Sequence, residues 1–369
     1  MLRPFLYPLL CFSAMQLGCI KQEPPDNPFR QPIRYPVGES PSHIIATDLS
    51  QDGVLDLVVA NTQGHSISIL VGKNDGSFTE TKTVKMGKGP RWLVAGDFNE
   101  DSLIDLGVIH NDEDSLDILI NRGQANMAKG GHIKTERAPY SATVGDFNGD
   151  GHLDIAMVSR FDHLVILLGD GLGGFKKGMM GNPGALPTGI ISGHFNNDEI
   201  VDLAIANNGV GTSDIVLFWG KGDGTFEKGD RYRTGMNPLG VVSADFNRDQ
   251  RPDLLAVNGL GDSLTLFVSN EKGTYTKAGD YGADGGPVSA VAHDFNDDKI
   301  MDLVIAGIRG DHISYMVGRT EGGFGYPPLN LFTGMGPFYI LEADLNQDGR
   351  MDIVVANNND ASISILTGK

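Results

Sequence analysis

A nine-residue string of oxygen-bearing side chains stands out in this chain of 369 residues. Its clearest copy runs from Asp146 to Asp154 and has Asp, Asn, Asp and Asp at positions 1, 3, 5 and 9. The backbone carbonyl of His152 adds an oxygen at position 7. Oxygen ligands at this spacing are typical of a tight loop around a hard cation, and the glycine at position 6 permits the sharp turn that brings them together. The string therefore predicts a calcium loop.

Seven copies of the string occur, and their first residues are at positions 48, 97, 146, 194, 245, 294 and 344. Side-chain oxygens at positions 1, 3, 5 and 9 are the predicted ligands, together with the position-7 carbonyl in the strings that have glycine at position 6. The predicted calcium ligands are Asp48, Ser50, Asp52, Val54, Asp56, Asp97, Asn99, Asp101, Asp105, Asp146, Asn148, Asp150, His152, Asp154, Asp245, Asn247, Asp249, Asp253, Asp294, Asn296, Asp298, Asp302, Asp344, Asn346, Asp348, Arg350 and Asp352.

The strings differ most at position 6. Those that begin at Asp48, Asp146 and Asp344 have glycine there, and we expect them to bind calcium best. Three others have a side chain at that position, which strains a left-handed turn or forces another loop shape: Ser102, Gln250 and Lys299. The fourth string has His194 at position 1 and Glu199 at position 6. Because nitrogen is a poor calcium ligand, we expect weak or absent binding there.

An alternative is that these aspartates merely cap turns, as Asp and Asn often do. Electrostatics favours metal binding over simple turn capping, because several carboxylates in one tight loop repel each other strongly unless a cation neutralises them. The formal net charge of the chain is −18, and seven Ca²⁺ ions would reduce it to −4. A closed carboxylate cage on a turn leaves little room for a substrate, so we expect the calcium to be structural.

The strings recur at intervals of 48 to 51 residues, which is typical of one supersecondary unit repeated in series. In each unit a short apolar run precedes the string, and an apolar run such as 57–60, an alternating run such as 66–69 and a more polar run follow it. These segments predict a four-stranded antiparallel unit. Because such a unit cannot bury both its faces alone, we predict an all-β, seven-bladed β-propeller. The rival fold, an open β-solenoid, would need shorter repeats.

The two ends of the repeat region complement each other. The seventh unit stops at Lys369, before a fourth strand can form, whereas residues 29–37 align with the fourth strands of other units. We therefore expect the N-terminal strand to complete the last blade and to close the ring without a long unpaired edge.

The repeats resemble those of the FG-GAP and VCBS repeat families. The segments 145–151, Gly-Asp-Phe-Asn-Gly-Asp-Gly, and 244–247, Ala-Asp-Phe-Asn, carry this resemblance, which extends from about residue 29 to the end. It implies a seven-bladed propeller like the headpiece of integrin α subunits, in which the blades carry calcium loops.

The N-terminal residues predict export. Residues 1–18 contain one positive charge and an apolar stretch to Leu17 that is too short to span a membrane, as in a signal peptide. Residues 17–19, Leu-Gly-Cys, resemble a bacterial lipoprotein cleavage box, which implies a lipid on Cys19 and attachment to the outer membrane through that lipid alone. A plain secretory signal would instead leave the protein secreted. The proline-rich residues 19–28 predict a tether to a domain of residues 29–369.

The turns opposite the strings are the expected ligand contacts, because they differ from unit to unit and variable loops on a rigid scaffold usually carry specificity. Four aromatic side chains there could anchor a ligand, or each could cover its own blade: Trp92, Phe161, Phe338 and Tyr339. Glu342 and His293, at the ends of adjacent first strands, could line the channel and serve acid–base chemistry, although such pairs are more often simply solvated. Residues 309–311, Arg-Gly-Asp, fall where every unit has a turn, and we interpret them as one.

We expect a calcium-stabilised, extracytoplasmic binding scaffold for a protein or glycan ligand, and a monomer. The strongly negative charge argues against nucleic acid as a partner. The nine histidines do not fall in a metal spacing or beside a nucleophile motif, so we expect no enzyme. One alternative is a propeller enzyme that acts on a polysaccharide or phosphoester in the channel mouth or on the variable rim. Another is a structural envelope component without a dedicated ligand.

Overall fold

The computed structural model describes residues 25–79, 82–196, 198–209 and 211–369. Across these ranges the strands form seven four-stranded antiparallel sheets, which confirms the predicted all-β class and seven-bladed propeller. The described part of the chain has no helix that is long and apolar enough to cross a membrane. The predicted signal peptide and Cys19 lie outside the described residues.

Each blade contains strands in chain order from the axis outward, except the last. Blade 1 contains β2 (Pro41–Thr47), β3 (Asp56–Asn61), β4 (Ser66–Leu70) and β5 (Lys82–Lys85). Blade 2 contains β6 (Pro90–Gly96), β7 (Asp105–His110), β8 (Ser115–Asn121) and β9 (Met127–Lys134). Blade 3 contains β10 (Pro139–Gly145), β11 (Asp154–Ser159), β12 (His163–Gly169) and β13 (Phe175–Gly181). Blade 4 contains β14 (Pro187–Gly193), β15 (Asp202–Gly209), β16 (Thr212–Gly220) and β17 (Phe226–Arg233).

The remaining blades follow the same order. Blade 5 contains β18 (Pro238–Ala244), β19 (Asp253–Asn258), β20 (Ser263–Ser269) and β21 (Tyr275–Gly282). Blade 6 contains β22 (Pro287–His293), β23 (Asp302–Gly307), β24 (His312–Met316) and β25 (Leu329–Phe332). Blade 7 contains β26 (Pro337–Ala343), β27 (Asp352–Asn357), β28 (Ser362–Leu366) and the N-terminal β1 (Ile33–Pro36).

The N-terminal strand completes the last blade, because β1 pairs antiparallel with β28. The paired strand is shorter than residues 29–37, since Pro32 has no N–H to donate to the ladder. Phe29 still forms an isolated bridge to Gly368. Its ring is 1 % exposed and lies 5.3 Å from that of Phe295 and 6.0 Å from that of Tyr315. The N-terminal segment therefore closes the ring through both backbone pairing and aromatic packing.

The hydrophobic core lies between blades rather than inside one sheet. In the described residues, seven apolar clusters each join two neighbouring blades. The second strands are buried along their whole length, as in β3 and β27, because both of their faces pack on other blades, and their central residues are apolar. The outermost strands are polar or charged, as in β5 and β17, which discourages pairing at the outer edge. This packing fixes the first strands around the axis.

Every first strand begins with a proline that is followed by a β-bulge. The register shifts directly after that proline in all seven blades. The first residue of a strand tolerates proline, which has no N–H, and a bulge changes the direction in which the next side chain points. The residue after each proline is therefore set apart from the regular pleat.

Candidate functional site

The seven residues that follow the strand-opening prolines all line one cavity at the axis, here called the axial cavity. Its volume is about 450 Å³, and small-molecule sites usually have volumes of roughly 300–1,000 Å³. Because each first strand runs from its proline to a nine-residue string, this cavity lies toward the end of the ring opposite the strings. The seven residues are Ser42, Arg91, Tyr140, Thr188, Leu239, Val288 and Phe338.

Three of the four aromatic residues predicted for the rim meet in the axial cavity, namely Trp92, Phe338 and Tyr339. Phe161 does not line it. That ring lies on the turn between β11 and β12, is 46 % exposed, and has the Arg137 guanidinium 4.3 Å from its centroid. The structure therefore brings together three predicted anchors and leaves the fourth on the outer surface.

His43 is buried beside the cavity and packs against two of these aromatic rings. Its ring centroid lies 3.8 Å from that of Trp92 and 4.2 Å from that of Tyr339. Its Nδ1 accepts a hydrogen bond from the backbone N–H of Leu93 at 3.3 Å. Burial, and to a lesser degree the positive charge of Arg91, hold the pKa of His43 well below its ordinary value. This imidazole is neutral and structural.

Two guanidinium groups lie close to one tyrosine ring at the mouth of the axial cavity. The Arg91 guanidinium lies 3.7 Å from the Tyr140 ring centroid, that of Arg160 lies 4.4 Å from the same centroid, and both arginines line the cavity. Arg91 Nε is buried without a hydrogen-bond partner, and burial lowers the pKa of Arg91. Neither guanidinium belongs to an ion pair in the part of the chain that the structure describes.

Sequence reasoning missed this arginine pair. The available signal was that Arg91 is the one charged residue among the seven equivalent positions after the prolines. The pairing with Arg160 depends on how neighbouring blades meet, which spacing along the chain does not reveal.

Glu342 lines the axial cavity, but its predicted partner does not. The Glu342 Oε2 atom is buried without a hydrogen-bond partner, and burial raises the pKa of this carboxyl to about 7. His293 instead packs against Phe295, with ring centroids 5.4 Å apart. The structure thus leaves Glu342 as a single carboxyl in the cavity wall.

The seven strings form turns between first and second strands, here called the acidic loops. In six of them the residue at position 6 has a left-handed φ between 66° and 88°. Ser102, Gln250 and Lys299 therefore adopt the same left-handed turn as the glycines, at a cost in backbone strain, rather than another loop shape. In the fourth loop, Glu199 is not left-handed, so this loop departs from the common form.

The aspartate at position 9 is fully buried in every acidic loop, and its carboxylate accepts amide hydrogen bonds from two segments. Asp154, for example, accepts from the N–H of Phe147 at 3.0 Å and from that of Gly169, at the end of β12, at 2.8 Å. Burial raises the pKa of all seven carboxyls, and for three of them the pKa reaches about 6: Asp253, Asp302 and Asp352. These aspartates tie each loop to its third strand.

The residues at positions 1, 3 and 5 cap their own loop. Asp146 accepts hydrogen bonds from the N–H groups of Gly149, Asp150 and Gly151 at 2.8–3.2 Å. The position-5 carboxylates accept from the N–H of position 7 in the loops that contain Val54, His152 and Arg350. Within the described residues, no three acidic, histidine or cysteine side chains are gathered as a metal cage. These hydrogen bonds match the turn-capping alternative. The same carboxylate and amide oxygens keep further lone pairs, which suit a hard cation.

Two acidic loops already contain competing partners. His194 Nδ1 lies 3.1 Å from the carbonyl oxygen of Ile200, which is the position-7 oxygen of the fourth loop. In the fifth loop a guanidinium nitrogen of Arg251 lies 2.7 Å from the carboxylate of Asp249. These contacts make the fourth and fifth loops less suited to a cation than the third.

The Arg-Gly-Asp tripeptide lies on the turn between β23 and β24, as interpreted from its place in the repeat. Its arginine, Arg309, forms an ion pair with Asp262 on the corresponding turn of blade 5. The arginine is thus held by a neighbouring blade.

A family model described as FG-GAP-like repeat matches five stretches of the chain, which form two overlapping series. The matched residues are 48–108, 97–157, 194–256, 245–305 and 294–355. Each match begins at the first residue of an acidic loop and reaches into the next unit. A search of curated proteins finds no match to this chain.

Solved structures with this fold have little sequence in common with the chain. A crystal structure of BBS1N in complex with ARL6DN has a TM-score of 0.66 and 11% identity, and the alignment covers 93% of this chain and 97% of that one. A functionally unknown protein from Desulfotomaculum acetoxidans has a TM-score of 0.60 and 11% identity over 84% and 93% of the two chains. At these identities the likeness shows the fold alone.

Proposed function

The chain belongs to the FG-GAP-like repeat family, and from this premise we propose that it is an extracytoplasmic binding scaffold for a protein or glycan ligand. The fold is compatible with such a role. The observation that carries the proposal is the axial cavity, where three aromatic anchors and the seven bulged residues converge. Variable turns surround this cavity, and rigid rings with variable turns usually carry specificity there.

Binding of protein and glycan arrays to the full chain tests this proposal. The variant Phe338→Ser removes an aromatic wall of the cavity, whereas Leu172→Ser changes an exposed residue, 82 % accessible, at the opposite end of the ring. We expect a ligand that the wild type and Leu172→Ser bind and Phe338→Ser loses. Equal binding by all three proteins would contradict a ligand site at this end.

We also propose that acidic loops bind structural calcium, with the first, third and seventh as the best sites. Two features support this: the oxygen donor set, and the left-handed position 6 filled by glycine. The aspartates, asparagines and serine of these loops would hold the ion, and the ion would neutralise their mutual repulsion. Metal analysis after dialysis against calcium should find about three or more ions per chain. A chain without calcium would contradict the proposal.

The proposed location is the cell envelope, with a lipid on Cys19 and a monomeric propeller outside the cytoplasm. The leader segment and the Leu-Gly-Cys box support it. Labelling with a radioactive lipid precursor should mark the wild type and not Cys19→Ser, and label on both proteins would contradict the anchor. Size-exclusion chromatography with light scattering tests the monomer.

The second candidate function is that of a propeller enzyme on a polysaccharide or phosphoester. The Glu342 carboxyl favours it, because its Oε2 is unpartnered and faces a cavity that could admit a substrate. The cavity lining has no second carboxylate, whereas most glycoside hydrolases use two. Hydrolysis of either substrate class by the wild type but not by Glu342→Gln would establish this alternative.

A further inference from the structure

The axial cavity has one positively charged end and apolar walls. We propose that it binds a small amphipathic organic anion, with an oxyanion head at Arg91 and Arg160 and an apolar body deeper in the cavity. The inference rests on the proposed function in one respect, that this end of the ring is a ligand site. It adds the chemical class of the group that enters.

The two arginines at the mouth of the cavity lack a carboxylate partner among the described residues. The guanidinium groups of Arg91 and Arg160 lie 3.7 and 4.4 Å from the Tyr140 ring centroid, and Arg160 also donates a hydrogen bond to the Tyr140 hydroxyl at 3.4 Å. Arg91 Nε is buried without a hydrogen-bond acceptor. Guanidinium groups bind carboxylate and phosphate oxygens through paired hydrogen bonds. An oxyanion at this mouth would supply the missing acceptor and reduce the repulsion between the two cations.

The walls favour an apolar body over a sugar. The lining hydroxyl of Ser42 donates to the Arg91 carbonyl at 2.9 Å, and that of Thr188 donates to the Pro238 carbonyl at 2.8 Å. These hydroxyls hold neighbouring blades together and therefore have no proton left to donate to a sugar hydroxyl. Most of the other lining residues are aliphatic or aromatic, as Val241 is. Buried hydroxyls without partners are costly, whereas burying an apolar body is favourable.

The acidic groups nearby leave the mouth positive. Asp112 acts on Arg91 only from beyond ion-pair distance. Glu342 lies four residues further along β26 than Phe338, which is roughly a dozen ångströms deeper. A ligand bound in the reverse orientation would place its anionic head group at the Glu342 carboxyl. The order of charges along the cavity therefore sets the orientation of the ligand.

Tryptophan fluorescence provides a direct readout, because Trp92 lines the cavity and Trp219, the only other tryptophan, does not. In the full chain with Trp219→Phe, four probes are titrated below their micelle concentrations. Octanoate, octyl phosphate and octyl glucoside share one tail and differ in the head, and inorganic phosphate supplies a head alone. We expect saturable changes with octanoate or octyl phosphate, and binding at least ten times weaker with octyl glucoside and with phosphate. The tighter of the two anions identifies the preferred head.

Arginine variants separate charge from shape. Hydrogen bonds to charged groups stabilise by amounts equivalent to roughly ten- to hundred-fold in affinity, so Arg91→Gln should weaken the anion by about that factor and leave octyl glucoside unchanged. Arg160→Gln, on an exposed turn, should act in the same direction if Arg91→Gln does not fold. Arg309→Gln, on the equivalent turn of blade 6, is the control and should have no effect.

Three results would overturn the inference: equal affinity for anionic and neutral octyl probes, unchanged anion binding in Arg91→Gln and Arg160→Gln, or no response of Trp92 to any probe. A protein or glycan ligand that depends on Phe338 would still support the proposed scaffold in each case. Conversely, anion binding without such a ligand would support the inference while the scaffold proposal fails.

Discussion

The two ends of this ring are built on opposite plans. At one end seven acidic loops repeat one design, and six of them share a left-handed backbone conformation at position 6. At the other end the residues that follow the seven strand-opening prolines line one axial cavity, and no two neighbouring blades contribute the same residue type there. Repetition makes many similar local sites, whereas divergence around an axis makes a single composite site.

The two kinds of site are encoded differently along the sequence. An acidic loop is completed by residues within nine positions, together with one strand end, so each loop is specified locally. The axial cavity is completed by residues roughly fifty positions apart, each turned toward the axis by a bulge. We therefore expect changes at the acidic end to alter stability and changes at the cavity end to alter binding.

Removal of calcium should have the largest effect. One site filled at a hundred times its dissociation constant contributes about 2.7 kcal/mol, so several filled loops should raise the melting temperature by on the order of 10 °C. Thermal unfolding with excess calcium and with a chelator measures this shift. A melting temperature that does not respond to the chelator would mean that turn capping alone holds the acidic end.

Phe29→Ala should be the most destabilising single substitution tested. Phe29 packs beneath the acidic end, against Phe295 and Tyr315, and is 1 % exposed. Deleting a buried phenyl ring costs about 3–5 kcal/mol in the free energy of unfolding. The control Ile33→Ala changes a neighbouring residue that is 56 % exposed and should cost about 0.5 kcal/mol or less. Denaturant unfolding compares the two, and similar losses would show that the N-terminal segment does not close the ring as a packed element.

Equivalent substitutions in the third and fourth loops should behave differently. Asp150 and Asp198 both occupy position 5, but the fourth loop has His194 at position 1, bonded to Ile200. Asp150→Ala should therefore remove about 2–3 kcal/mol of calcium-dependent stability, whereas Asp198→Ala should leave the calcium-dependent part unchanged. Melting of both variants with and without calcium provides the measurement. Equal losses would contradict the ranking of the loops.

The fold could be predicted from the sequence because every blade repeats the same pattern of strands and acidic loop. Seven strings at even spacing fixed the blade number, and the alignment of the N-terminal segment with fourth strands predicted the closure that β1 and β28 make. The acidic loops were also found, but the second role of position 9, as in Asp154, was not. Its partner Gly169 lies fifteen residues away on another strand.

The cavity was predicted only in part. Trp92, Phe338 and Tyr339 were identified as rim anchors, and the structure brings them together. Phe161 belongs to the same predicted rim, but it lies on a turn between second and third strands rather than in a first strand, and it faces outward and contacts Arg137. Side-chain direction at these turns depends on the bulge and on the neighbouring blade, and neither leaves a signal in one sequence.

His43 should make the cavity end sensitive to acid. Its pKa is held well below the ordinary 6.5 by burial and by Arg91, so below pH 6.5 the unfolded chain binds a proton that the folded chain excludes. The contribution of His43 to stability should therefore fall by at most about 2 kcal/mol between pH 6.5 and pH 5. Buried carboxyls with a raised pKa, such as Glu342, contribute with the opposite sign over this range, so the His43 part is measured as the difference between the wild type and a His43 variant. His43→Gln keeps an acceptor for Leu93 and should remove this part of the pH dependence. The control His65→Gln, at an exposed site, should retain it, and equal slopes in all three proteins would contradict the assignment.

The smallest expected effect concerns strain in the acidic loops. Gln250 has a φ of 68°, a conformation that glycine adopts without strain. Gln250→Gly should therefore stabilise the chain by about 0.5–1 kcal/mol, the usual strain less the extra freedom of glycine in the unfolded state. The reverse change, Gly151→Gln, should destabilise by a similar amount, because a Cβ at Gly151 meets no atom within 4 Å and only the backbone is strained. Both values come from denaturant unfolding in a chelator, so that calcium does not contribute. If both substitutions shifted stability in the same direction, strain at position 6 would not explain why some acidic loops are weaker than others. The differences between the loops would then have to come from their ligand residues.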